Sequence, residues 1–70
     1  LSMIPAGEKV KIVELAVGAA LVHRLRSMGV KVNQEIEVLN NNFHGPFLVK
    51  VQGSRIALGH GVTHRVLVVR

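Results

Sequence analysis

The segment VGAALVHRLRSMG, residues 17–29, has a different hydrophobic period from the rest of the chain. Its larger apolar residues are spaced by four, four and three positions, which is the pattern of one face of an α-helix; they are Val17, Leu21, Leu25 and Met28. Gly29 follows the last of them, where a helix commonly ends on a residue with positive φ. The sequence therefore predicts a short amphipathic helix that ends at Gly29.

The segments on both sides of this helix alternate between apolar and polar residues, which is the period of a half-buried strand. One such segment precedes the helix and four follow it: EKVKIVEL (8–15), QEIEVLNN (34–41), PFLVKVQ (46–52), RIAL (55–58) and RVLVVR (65–70). Because the segments are short and several are joined by tight turns, we expect a mostly antiparallel sheet. Curling of this sheet into a small barrel would protect its edges.

The turns between these strands carry their own signals. Pro5 and Gly7 predict a turn before the first strand, and Asn33 can adopt the left-handed conformation before the second. Residues 40–45, NNNFHG, read as a loop, and 59–64, GHGVTH, as a turn or a single turn of helix. Gly53 and Ser54 predict a two-residue hairpin loop that begins with glycine.

The composition limits the function classes. Seventy residues make one domain, 1–70, and nine Lys and Arg against four acidic residues give a net charge of +5. Cysteine is absent, which removes disulfides and thiol chemistry and fits a reducing cytoplasm. The longest apolar runs are too short to span a bilayer. No nucleophile–base constellation or glycine-rich phosphate loop is present, so we do not expect an enzyme.

These segments, in this order, resemble the FeoA family, the small cytoplasmic partners of the ferrous iron transporter FeoB. The resemblance covers essentially all 70 residues; its parts are PAGEKVKIVEL, LVHRLRSMGV, EIEVL, GPFLVKVQGSRIALG and VLVV. It implies a mostly β fold, an SH3-like small barrel of about five strands with one short α-helix inserted after the first strand. The sequence departs from the family in the turn KVNQE, where a Pro-Gly pair is usual, and in the loop LNNNFHG.

The resemblance also implies a function without catalysis, in which the protein docks on the cytoplasmic part of FeoB and modulates it. Attachment to the membrane would be peripheral, through that partner. Two alternatives stay open: a metal-responsive module like the C-terminal barrel of DtxR-type repressors, and a small basic barrel that binds nucleic acid. We do not expect nucleic acid, because single-strand binders need exposed aromatic residues and this chain has two phenylalanines.

For docking, the sequence predicts an apolar ledge beside basic side chains on the helix and adjoining loops. The candidate residues are Leu21, Arg24, Arg26, Met28, Val30 and Phe43. The basic residues on the helix equally suit an ordinary solvated face whose cations complement the C-terminal end of the helix dipole. Self-association is a further expectation, since a thin core and an open sheet edge both favour a second copy.

His60 and His64 are the candidate metal ligands, because a spacing of four places two imidazoles on one side of a helical turn. Two ligands make a weak site, and exposed histidines without a metal are the more common case. Glu35 and Glu37 share one side of a strand and could hold a hard cation weakly. We therefore expect no required cofactor, and at most weak ferrous iron or an adventitious divalent metal.

Overall fold

The computed structural model describes residues 1–41 and 45–70 and confirms a mostly β fold with one short helix after the first strand. The elements in chain order are β1 (Lys9–Leu15), α1 (Ala19–Ser27), β2 (Glu35–Asn41), β3 (Phe47–Val51), β4 (Ser54–Leu58), α2 (His60–Thr63) and β5 (Val66–Val69). The predicted alternation is confirmed in the strands. Their inward positions are closed to solvent, with Phe47 the largest side chain in the core.

The five strands form one antiparallel sheet in the order β4–β3–β2–β1–β5. Two of the three inner strands contain a one-residue bulge: Val13 is extra between the pairs made by Ile12 and Glu14 in β1, and Leu39 is extra in β2. A bulge bends its strand and increases the local twist, so a small sheet can curl around a single core. The sheet begins at β4 and ends at β5, and no ladder joins these two strands within the described ranges.

The end of α1 is a Schellman motif, which explains its position against the sheet. Gly29 has a φ of +95°, its backbone N–H donates to the Arg26 carbonyl at 3.1 Å, and the Val30 N–H donates to the Leu25 carbonyl at 2.8 Å. This pattern brings the residue after the glycine against the last turn of the helix. Leu25 and Val30 are accordingly both buried, at 3% and 0% exposure.

The helix is shorter than the predicted stripe. Gly18 is the N-cap, in an extended conformation, so Val17 lies before the helix, where it still packs against the core. Leu21 also packs against the core, whereas Met28 is 42% exposed. The stripe therefore faces the sheet over most of its length and turns towards solvent at its C-terminal end.

The hairpin loop between β3 and β4 differs from the prediction by one residue. Its two residues are Gln52 and Gly53, not Gly53 and Ser54, and both have positive φ, at +50° and +83°. Positive φ at both positions is the type I′ geometry that matches the twist of the strands. This register places Phe47 opposite Leu58. The predicted loop would have placed Phe47 opposite the polar His60.

The segment before β1 is fastened to the sheet by Asn41, the last residue of β2. The side-chain amide of Asn41 donates to the carbonyls of Ser2 and Ile4, at 3.2 and 2.8 Å. Ile4 and Leu1 contribute side chains to the core. Residues 1–7 thus cover one end of the sheet, and the predicted turn there is present, with Gly7 at a φ of +94°.

Candidate functional site

A groove of about 260 Å³ lies between α1 and the segment that runs from β4 into α2. It has one wall from the helix and one from the edge of the sheet. The lining residues are Leu21, Arg24, Leu25, Met28, Ala57, Leu58, Gly59 and Val62. The groove thus separates α1, whose C-terminal end is fixed by the Schellman motif, from the edge strand β4.

The floor and the walls of the groove differ in exposure. Leu25 and Leu58 belong to the core and form the floor, whereas Leu21 and Val62 are half-buried. Met28 is the most exposed of the large apolar side chains in the groove, and its unbranched thioether can adapt to different ligand shapes. The groove therefore offers a mainly apolar surface on a rigid base.

The charge at this groove is positive. Arg24 lines it and is exposed, as is Arg26, although Arg26 is not among the lining residues. No carboxylate lines the groove, since all four acidic residues of the chain lie elsewhere: Glu8, Glu14, Glu35 and Glu37. The pair formed by Glu8 Oε2 and Arg70 Nε, 2.8 Å apart, is solvent-exposed and contributes little to stability.

The structure brings together some of the residues predicted for docking. Leu21, Arg24 and Met28 line one groove. Val30 was wrongly assigned to the surface: it is fully buried, because it occupies the position after the C-terminal glycine in the Schellman motif. Phe43 lies outside the described residues.

The opposite wall of the groove is not predicted from the sequence. Ala57, Gly59 and Val62 come from the second half of the chain and approach the helix only through the fold of the sheet. Local periodicity contains no signal for such a contact. The burial of Val30, by contrast, could have been predicted, because an apolar residue directly after a C-terminal glycine is typical of the Schellman motif.

The two candidate metal ligands line a different groove, of about 230 Å³, with Ser2, Met3 and Asn41. The Nε2 atom of His60 lies 2.9 Å from the Gly45 carbonyl oxygen, and the Nδ1 atom of His64 lies 3.2 Å from Ser2 Oγ. Each ring therefore keeps one nitrogen free of these contacts. Within the described ranges, no group of three or more metal-ligating side chains is found.

The two glutamates that could hold a hard cation already face basic side chains on the neighbouring strands. Glu37 stands opposite Lys9 on β1 and Lys50 on β3, and Glu35 stands opposite Lys11, so this pair of carboxylates faces cations on both neighbouring strands.

Phe47 points into the core with 0% exposure. Aromatic side chains on the surface, which single-strand binders use for stacking, are thus absent from the described part of the sheet.

None of the helices in the described ranges is long and apolar enough to cross a membrane.

The known proteins that this chain resembles carry related names. The FeoA domain family matches residues 1–70. The putative Fe(2+) transport protein A of Methanocaldococcus jannaschii is 31% identical over 68 residues, covering 97% of this chain and 82% of the relative. A crystal structure of an iron uptake regulatory protein, FeoA, superposes with a TM-score of 0.85 at 34% identity, over 97% of this chain and 89% of that one.

A solution structure of FeoA from Chlorobium tepidum has the same fold, with a TM-score of 0.86 at 20% identity. It is matched over 96% of this chain and 65% of its own length. These structural matches confirm the predicted SH3-like small barrel.

Proposed function

Because this chain belongs to the FeoA family, which is associated with ferrous iron transport, we propose that it is a non-enzymatic accessory protein of ferrous iron uptake. In this proposal it acts in the cytoplasm, where it docks on the cytoplasmic part of the FeoB-type transporter and modulates it. No cofactor is required. The attachment to the membrane is peripheral and depends on the partner.

The observation that carries the proposal is the groove between α1 and β4–α2. It combines an apolar lining with Arg24 at its border and contains no carboxylate. An apolar contact with a charged border is a typical composition for a protein-binding surface, where desolvated apolar residues supply affinity and charges supply orientation. Its volume of about 260 Å³ suits one or two apolar side chains of a partner better than an enclosed reaction site.

Docking can modulate a transporter only if the protein binds one conformation of the transporter more tightly than another. A tenfold difference in affinity between two conformations, about 1.4 kcal/mol, shifts their ratio by the same factor. A small recognition domain can therefore influence transport without performing a chemical step.

The test is direct binding of the chain to the purified cytoplasmic part of the transporter by surface plasmon resonance. We expect Arg24→Glu to weaken binding about tenfold, since it places a carboxylate at an apolar groove. Lys31→Glu is the matched control, because it changes the net charge equally at an exposed position that does not line the groove. Equal binding by wild type and both variants would remove the groove from the proposal, and no binding by wild type would remove the proposed partner.

Weak binding of ferrous iron at His60 and His64 is a second, separate proposal. Its support is that both imidazoles line one groove and that each has one ring nitrogen outside the contacts described above. Anaerobic calorimetry with Fe²⁺ should then show weak, saturable heat that disappears in the variant carrying His60→Ala and His64→Ala. Identical heats from the variant and the wild type would exclude this pair as the ligands.

A further inference from the structure

β4 is an edge strand, and the register of its hairpin determines which of its backbone groups are free. The two-residue loop at 52 and 53 makes Val51 and Ser54 a hydrogen-bonded pair of the antiparallel ladder. Hydrogen-bonded and non-bonded pairs alternate, so Ile56 and Leu58 also direct their N–H and C=O groups towards β3. Arg55 and Ala57 direct theirs to the other side.

Within residues 1–41 and 45–70, no strand lies on that other side of β4. The edge therefore presents two N–H donors and two C=O acceptors, from Arg55 and Ala57. An edge of this kind can pair with an extended segment of another chain, which then continues the sheet.

The free edge and the groove are neighbours. Ala57 belongs to both, since it carries outward backbone groups and also lines the groove. Leu21 and Met28 of α1 line the same groove. A segment paired with β4 would thus run between the sheet edge and the helix. The groove volume of about 260 Å³ exceeds the ~150 Å³ of a cavity that holds a benzene ring, so it can accept at least one large apolar side chain.

We infer that the groove recognises its partner by strand addition: an extended peptide segment pairs with the free edge of β4 and inserts an apolar side chain between β4 and α1. This inference rests on the proposed function for the identity of the protein that carries the segment. Beyond the proposed function, the inference specifies the conformation of the bound segment and the backbone atoms of β4 that bind it.

The charges around the edge define the chemistry of the segment. Arg55 lies on β4 itself and is exposed, and Arg24 borders the groove from the helix. Because no carboxylate lines the groove and both arginines are positively charged, a segment with apolar and acidic residues can bury an apolar side chain in the groove and is attracted to this edge by its charge. Its side chains would alternate between the two sides of the enlarged sheet. Nucleic acid fits less well, because it has no backbone amide ladder to pair with the edge.

The experiment is an NMR titration of the ¹⁵N-labelled full chain with the peptide acetyl-Glu-Val-Glu-Leu-Glu-Val-amide. We expect the amide signals of Arg55 and Ala57 to shift and their hydrogen exchange to slow, while the amide of Ile56, already in the ladder with β3, keeps its exchange rate. The same peptide with lysine in place of glutamate is the charge control and should bind at least about tenfold more weakly.

Two variants at one position isolate the backbone contact. Ala57→Pro removes the outward N–H, and an edge strand tolerates proline at a position whose N–H faces solvent. This variant should weaken peptide binding about tenfold. Ala57→Ser keeps the N–H and should bind as wild type does. The spectrum of each variant shows whether it has folded. If the proline variant does not fold, the hydrogen exchange of the Arg55 and Ala57 amides in the wild-type chain, with and without peptide, still tests the backbone contact.

The outcomes separate this inference from the proposed function. Peptide binding that shifts Arg55 and Ala57 and is lost in Ala57→Pro supports strand addition, whichever protein supplies the segment. If wild type and Ala57→Pro bind the transporter equally and the peptide leaves Arg55 and Ala57 unchanged, strand addition is overturned while the proposed partner stands. A single-stranded oligonucleotide that shifts the same two amides more strongly than the peptide would also overturn it.

Discussion

Gly29 connects the core of the protein with its candidate docking groove. Its φ of +95° ends α1, and a Cβ atom at this position would lie 3.1 Å from Cγ1 of Val51 in the core. Both the left-handed backbone and this close approach favour glycine. One residue without a side chain thus determines where the helix stops and how near it lies to β3.

We expect Gly29→Ala to lower the free energy of unfolding by about 1–3 kcal/mol, from left-handed strain and the contact with Val51. Urea denaturation followed by circular dichroism measures this. Gly61→Ala is the control: Gly61 lies in α2, has no positive φ and has nothing within 4 Å of its added Cβ. It should be neutral or slightly stabilising. Equal losses in the two variants would contradict the role given to Gly29.

Val30 and Met28 are two residues apart but should respond differently to truncation. Val30→Ala removes two methyl groups from a fully buried site and should cost about 2 kcal/mol of unfolding free energy. Met28→Ala, at a 42% exposed position, should cost less than about 0.5 kcal/mol and should weaken docking on the transporter. Denaturation and binding measured on the same two variants test this. A stability loss at Met28 as large as that at Val30 would place Met28 in the core.

At the scale of the elements, the loop of the β3–β4 hairpin has one residue that does not favour the conformation it adopts. Gln52 has a φ of +50°, a conformation that asparagine and glycine adopt more readily than glutamine does. We expect Gln52→Asn to raise the free energy of unfolding by about 0.5 kcal/mol. The exposed contact from Gln52 Nε2 to Gln34 Oε1, 3.3 Å long, would be lost, and Gln34→Ala controls for it. If Gln52→Asn lowers the free energy of unfolding and Gln34→Ala does not, the type I′ assignment is contradicted.

The strands and the helix could be predicted because each buries one side, and the side appears in the sequence as a period. Val10 and Ile12, or Phe47 and Val49, needed no tertiary information. The predicted hairpin loop is wrong by one residue because Gln52 has no strong preference for positive φ. The register is instead determined by the pairing of Phe47 with Leu58. Half of the groove was beyond prediction, since Ala57 and Val62 meet α1 only in the folded protein.

At the scale of the whole molecule, the second edge of the sheet carries large exposed apolar side chains. Leu67 and Val69 on β5 are 44% and 50% exposed, and Val13 at the β1 bulge is 44% exposed. The expectation that the protein self-associates stays a prediction, and this edge is where we expect it to occur. Sedimentation equilibrium over a range of concentrations should show a mass that rises with concentration, and Leu67→Lys should reduce the rise. A constant monomer mass would contradict it.

Of the eight residues that line the groove, Leu25 and Leu58 are buried in the core, and Leu21 and Val62 pack against it. Substitutions at Met28 or Ala57, which are both exposed, can therefore alter which partner is recognised while the stabilising interior is conserved. Homologues should be able to follow sequence changes in their partners through these positions at little cost in folding. For protein engineering, the same separation makes this 70-residue barrel a scaffold whose specificity could be diversified at a few sites.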